Sequence, residues 1–126
     1  MSNKNIFVFG GTGSIGKSLS KKLKSNNYDP IIISRNETEL KQLSEEIGCE
    51  YKVCDVLDFN KVKSISEEYK DQLSGIAFCV GSINLKPLKM TKDEDFIESF
   101  KINTMGAINV VKSNLESLIE NNGSIL

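Results

Sequence analysis

Between the apolar run Ile6 to Phe9 and the helix-spaced Ile15, Leu19 and Leu23 lies Phe9-Gly10-Gly11-Thr12-Gly13-Ser14-Ile15-Gly16-Lys17-Ser18, a strand-to-helix turn suited to phosphate. Glycines let such a turn take positive φ and let an anion approach without meeting a Cβ. The unpaired N–H groups that open the helix, with its dipole behind them, then favour negative charge. Two codes fit the spacing. Gly11-x-Gly13-x-x-Gly16 is a dinucleotide fingerprint, whereas Gly11-x-x-x-x-Gly16-Lys17-Ser18 is a P-loop for a nucleoside triphosphate with magnesium. Either way, Gly10, Gly11, Thr12, Gly13, Ser14, Ile15 and Gly16 are the candidate phosphate-binding residues.

The rest of the chain discriminates between the codes. A P-loop protein holds magnesium with an aspartate that closes a later apolar strand. Here Ile31-Ile32-Ile33 is followed by Ser34, and the run Ile76 to Val80 by Gly81. Only Val53-Cys54-Asp55 offers an aspartate, after a run that is not strongly apolar. Lys17 fits equally a solvated lysine on the first turn of an amphipathic helix. A dinucleotide site asks instead for a ribose-reading group at the tip of the second strand, about 20 residues past the fingerprint. That tip is Ser34-Arg35-Asn36, with Arg35 nineteen positions after Gly16. A carboxylate there would accept from ribose hydroxyls and favour NAD(H). Arginine presents planar charged donors suited to a 2′-phosphate, so the tip predicts NADP(H) over NAD(H), with Ser34, Arg35 and Asn36 as contacts.

Apolar β-type runs alternate with amphipathic helical patterns along one domain, residues 1–126. The alternation predicts βαβ units and a doubly wound parallel sheet of Rossmann-like form. Strands are expected at 5–9, from Pro30 through Ile33, at 50–54 and at 76–80, with the Ile31-Ile32-Ile33 run buried on both faces. Helices are expected at 14–26, from a cap at Asn36 to Gly48, and from a cap at Asp58 with Val62, Ile65 and Tyr69 on one side. A loop from Gly81 to Lys89 then leads into a long helical region over about 91–121, broken near Lys101. Its apolar positions cover more than a narrow stripe. They suit a helix packed on the sheet, or a second face covered by a partner. Ser124-Ile125-Leu126 opens a fifth strand in which the sequence stops, leaving four complete strands.

Composition narrows the partners. Sixteen basic and 17 acidic residues are spread along the chain, giving a net charge of −1 and no electrostatic case for nucleic acid. No basic amphipathic segment or long apolar run argues for a membrane, and Met1-Ser2-Asn3-Lys4 leads straight into a strand without an apolar signal region. Cys49, Cys54 and Cys79 show no Cys-x-x-Cys spacing, and there is no histidine, so no metal site is expected. Three reduced structural cysteines suit a cytoplasmic protein. Without histidine, proton chemistry would fall to carboxylate, tyrosine, lysine or a cofactor.

In their order, these landmarks resemble the N-terminal, coenzyme-binding half of the short-chain dehydrogenase/reductase family, over nearly the whole chain. That family carries Thr-Gly-x-x-x-Gly-x-Gly in its first turn; this sequence keeps Gly10 and Gly16, with Phe9 for the threonine and Ser14 for the middle glycine. Gly10-x-x-Gly13-x-x-Gly16 also fits the family's extended branch. Asp55-Val56 stands where the family sets an aspartate and a small apolar residue against adenine. Phe78-Cys79-Val80-Gly81 replaces Asn-Asn-Ala-Gly and keeps only the glycine, a departure that marks a divergent member. The resemblance puts Cys79 and Gly81 beside the cofactor. Phe100-Lys101-Ile102-Asn103-Thr104-Met105-Gly106-Ala107 matches the helix whose asparagine shapes the active site, making Asn103 the catalytic-site residue. A mid-helix asparagine with a nearby glycine also predicts a local irregularity.

The resemblance implies hydride transfer between NADP(H) and a carbonyl or alcohol carbon of a small molecule. In the family a serine holds the carbonyl oxygen, a tyrosine moves the proton, and a lysine four residues on lowers the tyrosine pKa. Tyr28, Tyr51 and Tyr69 are the only tyrosines here, and none has lysine four residues later. The serine would fall just past Leu126. The expectation is therefore a coenzyme-binding part of a reductase; a non-catalytic NADP(H)-binding module or sensor, or a truncated product, are the alternatives. Family members pair through their long helices, and the broad apolar face of 102–119 would suit a homo-oligomer.

Overall fold

Phe7, Val8 and Phe9 have no exposed surface, because β1 (Asn5–Phe9) is the middle of a five-stranded parallel sheet. The computed structural model describes residues 4–126, so the reading of the opening residues Met1 to Asn3 lies outside the described part. The order of elements is β1, α1 (Ser14–Ser25), β2 (Asp29–Ser34), α2 (Glu37–Ile47), β3 (Glu50–Val53), α3 (Phe59–Tyr69), β4 (Leu73–Phe78), α4 (Asp93–Phe100), α5 (Gly106–Glu120) and β5 (Ser124–Ile125). In space the strands run β3-β2-β1-β4-β5. The doubly wound, Rossmann-like reading holds. Its strand order reverses between β1 and β4, where such sheets leave a crevice at the carboxyl ends of their strands.

Strand alternation divides the core into two layers. Ile31 and Ile33 face a cluster with Phe7, Phe9, Val62, Ile65, Val110 and Leu118, under α3 and α5. Ile32 faces the other way, against Leu40 and Leu43 of α2. The three isoleucines are 2%, 0% and 1% exposed, as a strand covered on both faces requires. The caps of α2 and α3 follow the sequence. Asn36 Oδ1 accepts from Glu39 N at 3.1 Å, Asp58 Oδ1 accepts from Lys61 N at 3.1 Å, and Gly48 ends α2 in the left-handed region.

Several boundaries differ from expectation, β3 ending one residue early at Val53 and α1 at Ser25. β4 begins at Leu73 rather than Ile76, because an extra residue, Ser74, lies between the partners of Asn5 and Ile6 and carries the pairing past Gly75. It ends at Phe78, opposite the last residue of β1, and not at Val80. β2 starts one residue before Pro30, at Asp29. Ile15 does not share a buried face with Leu19 and Leu23: it is 75% exposed, and the buried positions of α1 are Gly16 and Ser20. The helix presses on the turn through small residues, so the apolar stripe lies to one side.

The long helical region breaks where the asparagine predicts. α4 and α5 are separated by a π-turn over Lys101–Met105. Among its apolar residues, Val110 and Leu118 enter the core, while Ile108, Leu115 and Ile119 stay exposed. Asn114 is buried within the same helix. Its Nδ2 donates to the Val110 carbonyl at 2.8 Å, and its Oδ1 has no partner among the described residues. An orphaned buried acceptor costs about 1–3 kcal/mol. Asn114→Leu is therefore expected to stabilise the fold by roughly 1 kcal/mol, read as a higher urea midpoint at unchanged slope; a lower midpoint would refute this.

Candidate functional site

A crevice of about 1240 Å³ opens at the carboxyl ends of β1, β2, β3 and β4. Four stretches separated in sequence meet there: Gly10, Thr12 and Gly13 of the first turn; Ser34, Arg35 and Asn36; Asp55 and Val56; and Cys79 and Gly81. Each stretch leaves the end of a different strand, so parallel pairing in register brings them together. Ser14, Ile15, Gly11, Gly16 and Asn103 do not line it. Gly11 and Gly16 are buried beneath the turn, and Ser14 and Ile15 head α1 in solvent.

The turn has little slack. Gly10 has φ +77°, and a Cβ there would sit 2.6 Å from the Cys79 carbonyl oxygen. A Cβ on Gly16 would sit 2.3 Å from the Gly10 carbonyl oxygen. The turn's own amides divide by role. Gly10 and Gly11 donate to the Ile33 carbonyl at 2.8 and 3.3 Å, and Gly13 donates to the Gly10 carbonyl at 3.1 Å. These three N–H groups shape the turn. Thr12, Ser14, Ile15 and Gly16 have no backbone acceptor for theirs among the described residues, and the last three head α1. A glycine-rich turn with free amides at a helix start fits a pyrophosphate. Lys17 stands within electrostatic reach of Glu46 of α2, whose carboxylate is held below its usual range chiefly by the hydrogen bond from Lys21.

At the tip of β2, Thr12 Oγ1 donates to Ser34 Oγ at 3.3 Å, joining the first turn to the second. Arg35 makes no ion pair among the described residues, although Glu37 and Glu39 also line the crevice. Those two glutamates lie in the first turn of α2, where they favour its positive end. Beyond β3, Asp55 Oδ1 accepts from Leu57 N at 3.0 Å and its carbonyl from Asp58 N at 2.9 Å, folding a tight corner.

Asn103 acts behind the crevice. Its Oδ1 accepts from Ser82 N at 3.0 Å, and its Nδ2 donates to the Ser82 carbonyl at 3.1 Å and the Ser99 carbonyl at 3.0 Å. The amide thus clamps the loop after β4 to the π-turn. Its competition for the Ser99 carbonyl is a physical reason for that turn.

Several lining residues escape sequence reasoning: Val80, Ser82, Ile97, Lys101 and Ile102. Ile102 and Lys101 adjoin Asn103, and that adjacency was the available signal. Two thiols border the space as well. Burial pushes Cys54 up to about 11 and raises Cys79, so both stay protonated at neutral pH and neither is an activated nucleophile. None of the tyrosines lines the crevice. Tyr69 instead donates its hydroxyl to Glu50 Oε2 at 2.5 Å, and burial, before that bond, raises its pKa further from neutrality. No group of three potential metal ligands occurs among the described residues, and no helix among them is long and apolar enough to cross a membrane.

The strand order, the glycine turn and a crevice at the switch point define a Rossmann-like nucleotide-binding fold. Comparison with known proteins narrows the class. The family model for short chain dehydrogenase matches residues 4–126. Carbonyl reductase family member 4 of Xenopus laevis is 32% identical over 125 residues, covering 96% of this chain and 53% of that protein. The 3-oxoacyl-[acyl-carrier-protein] reductase of Mus musculus is 29% identical over 129 residues, covering 98% and 55%. Among solved structures, a short-chain type dehydrogenase/reductase from Mycobacterium ulcerans superposes with a TM-score of 0.90 at 20% identity, over 99% of this chain and 50% of that one. The chain belongs to the short-chain dehydrogenase/reductase family of oxidoreductases, and it spans about half the length of these relatives. Membership sets the P-loop alternative aside.

Proposed function

We propose that this chain is the coenzyme-binding part of an NADP(H)-dependent short-chain dehydrogenase/reductase acting on a carbonyl or alcohol of a small molecule. The reading rests on one observation: the glycine turn through Gly10, Thr12 and Gly13, the unpaired Arg35 beside Ser34, and the Asp55-Val56 corner border one crevice, and the free amides of Ser14, Ile15 and Gly16 follow directly on that turn at the head of α1. The amides of Ser14, Ile15 and Gly16 would take the pyrophosphate. Ser34 and Arg35 would take the 2′-phosphate, and Asp55 with Val56 the adenine. Bound there, the dinucleotide supplies hydride to a carbonyl carbon or accepts it from an alcohol. Asn103 is in this reading a positioning residue, because both ends of its amide are committed to Ser82 and Ser99. Cytoplasmic location and pairing through the helix face over 102–119 belong to the same proposal.

One observation favours binding without turnover by this segment alone: no tyrosine borders the crevice, and none has lysine four residues on. Titration followed by reduced-nicotinamide emission tests both points. NADPH is expected to bind about 10-fold or more tightly than NADH, reflecting charge-assisted bonds to the extra phosphate, with no oxidation in a panel of carbonyl compounds. Equal affinities would remove the NADP(H) assignment, and turnover would remove the binding-only reading.

A further inference from the structure

We propose that Asn109, on α5, is a positioning residue that fixes the adenine-reading corner; the inference rests on the cofactor reading above. Asn109 Nδ2 donates to the Val56 carbonyl oxygen at 2.9 Å, across 53 residues of sequence. Neither the first-turn motif nor the helix pattern singles this residue out. Three positions before it, Gly106 lets the same segment close in: a Cβ at Gly106 would stand 2.8 Å from Val56 Cγ2. Val56 itself is 7% exposed and shares the core cluster with Val110, so its side chain faces the protein.

What remains free at the corner is selective. Asp55 Oδ1 is occupied by Leu57 N and the Asp55 carbonyl by Asp58 N. Asp55 Oδ2 and the Val56 N–H have no partner among the described residues. An acceptor followed by a donor matches an aminopurine edge, whose exocyclic amine donates and whose adjacent ring nitrogen accepts. A hypoxanthine edge reverses both roles and meets acceptor with acceptor and donor with donor. A shift of the whole corner relative to α5 would carry the Val56 N–H and Asp55 Oδ2 out of line and spoil the match. The bonds inside the corner fix its shape, Asp58 N holding the plane of the Asp55 carbonyl and the Val56 N–H, and Asp55 Oδ1 holding the next plane at Leu57 N, whereas the Asn109 amide, through the Val56 carbonyl, ties the corner to another element. Asn109 therefore acts on base choice through Val56.

The test is a ratio of affinities on the full chain, for NADPH against its hypoxanthine counterpart, read by reduced-nicotinamide emission without turnover. The unaltered chain is expected to favour the adenine form by about 10-fold. Asn109→Leu, which cannot donate, is expected to bring the ratio to about 2-fold or less, chiefly by weakening the adenine form, while Asn109→Gln restores part of it. A folded Asn109→Leu that keeps the full ratio overturns the inference and leaves the cofactor reading standing. Should Asn109→Leu not fold, Asn109→Asp decides in the same way: a preserved ratio overturns the proposal and a collapsed one supports it. No base preference in the unaltered chain, despite tight NADPH binding, overturns the adenine reading and the inference with it. Failure to bind any dinucleotide overturns the cofactor proposal itself.

Discussion

Gly16→Ala is expected to remove measurable dinucleotide binding and to destabilise the fold by on the order of 3 kcal/mol, at the upper end of ordinary overpacking. The reason is local and geometric. The added Cβ would lie 2.3 Å from the Gly10 carbonyl oxygen, 2.9 Å from its carbon and 2.9 Å from Gly11 Cα. All three are backbone atoms, and none can swing away like the end of a flexible side chain. Gly10 is itself fixed, because its N–H donates to the Ile33 carbonyl and its φ is +77°. Relief has to come from α1 lifting off the turn, which carries the amides of Ser14, Ile15 and Gly16 away from a pyrophosphate. Ser20 would lose its close seat as well, since it is fully buried and its Oγ donates to the Gly16 carbonyl at 2.8 Å. Urea unfolding and NADPH titration measure the two effects separately. A variant of unchanged midpoint and unchanged affinity would mean that the turn has more freedom than its contacts allow.

Much of this architecture is legible from residues alone. Ile31-Ile32-Ile33 announces a strand covered on both faces, and Asn36, Gly48 and Asp58 mark helix ends by chemistry that needs no tertiary partner. Asn103 announces a local irregularity in the long helix because its side chain competes with the backbone locally, and the structure gives it as a π-turn. The pieces that do not read from sequence depend on distant partners. Ser74 lies outside the simple register of β4 only because β1 sets where pairing resumes at Gly75. Ile15 carries a helix-face spacing yet stays exposed, since the close approach of Gly16 to Gly10 decides which side of α1 meets the sheet.

The candidate site divides along the same line. Residue types at strand ends are visible, so Gly10, Ser34, Arg35, Asp55 and Gly81 can be named in advance, and all five border one crevice. Hydrogen-bond bookkeeping is not visible. A glycine-rich turn offers many amides, but the pattern does not say that Gly10, Gly11 and Gly13 spend theirs on the turn itself. Nor does it reveal that Asn109 reaches Val56, or that Asn103 spends its amide on Ser82 and Ser99. Those are long-range or competing bonds that only the packed chain selects.

Arg35→Asp is expected to reverse cofactor preference. NADPH affinity should fall by about 100-fold and NADH affinity should rise by several-fold, as loss of charged donors to a phosphate and gain of a ribose acceptor imply. The arginine is well placed for such a change. It follows the last residue of β2, borders the crevice and forms no ion pair among the described residues, so its removal strands no buried partner. Two nearby carboxylates make the reversal steeper. Glu37 and Glu39 border the same space, and without the guanidinium a third negative side chain would join them against a 2′-phosphate. The Asn36 cap on Glu39 N is a bond of its own and should keep α2 in place, leaving the urea midpoint within about 0.5 kcal/mol of the unaltered chain, as for a surface substitution. The comparison has an internal control in salt: the NADPH preference of the unaltered chain should shrink as ionic strength rises, whereas that of Arg35→Asp for NADH should change little, because ribose hydroxyls carry no charge. Two cofactors bound equally before and after the substitution would show that the tip of β2 does not read the phosphate at all.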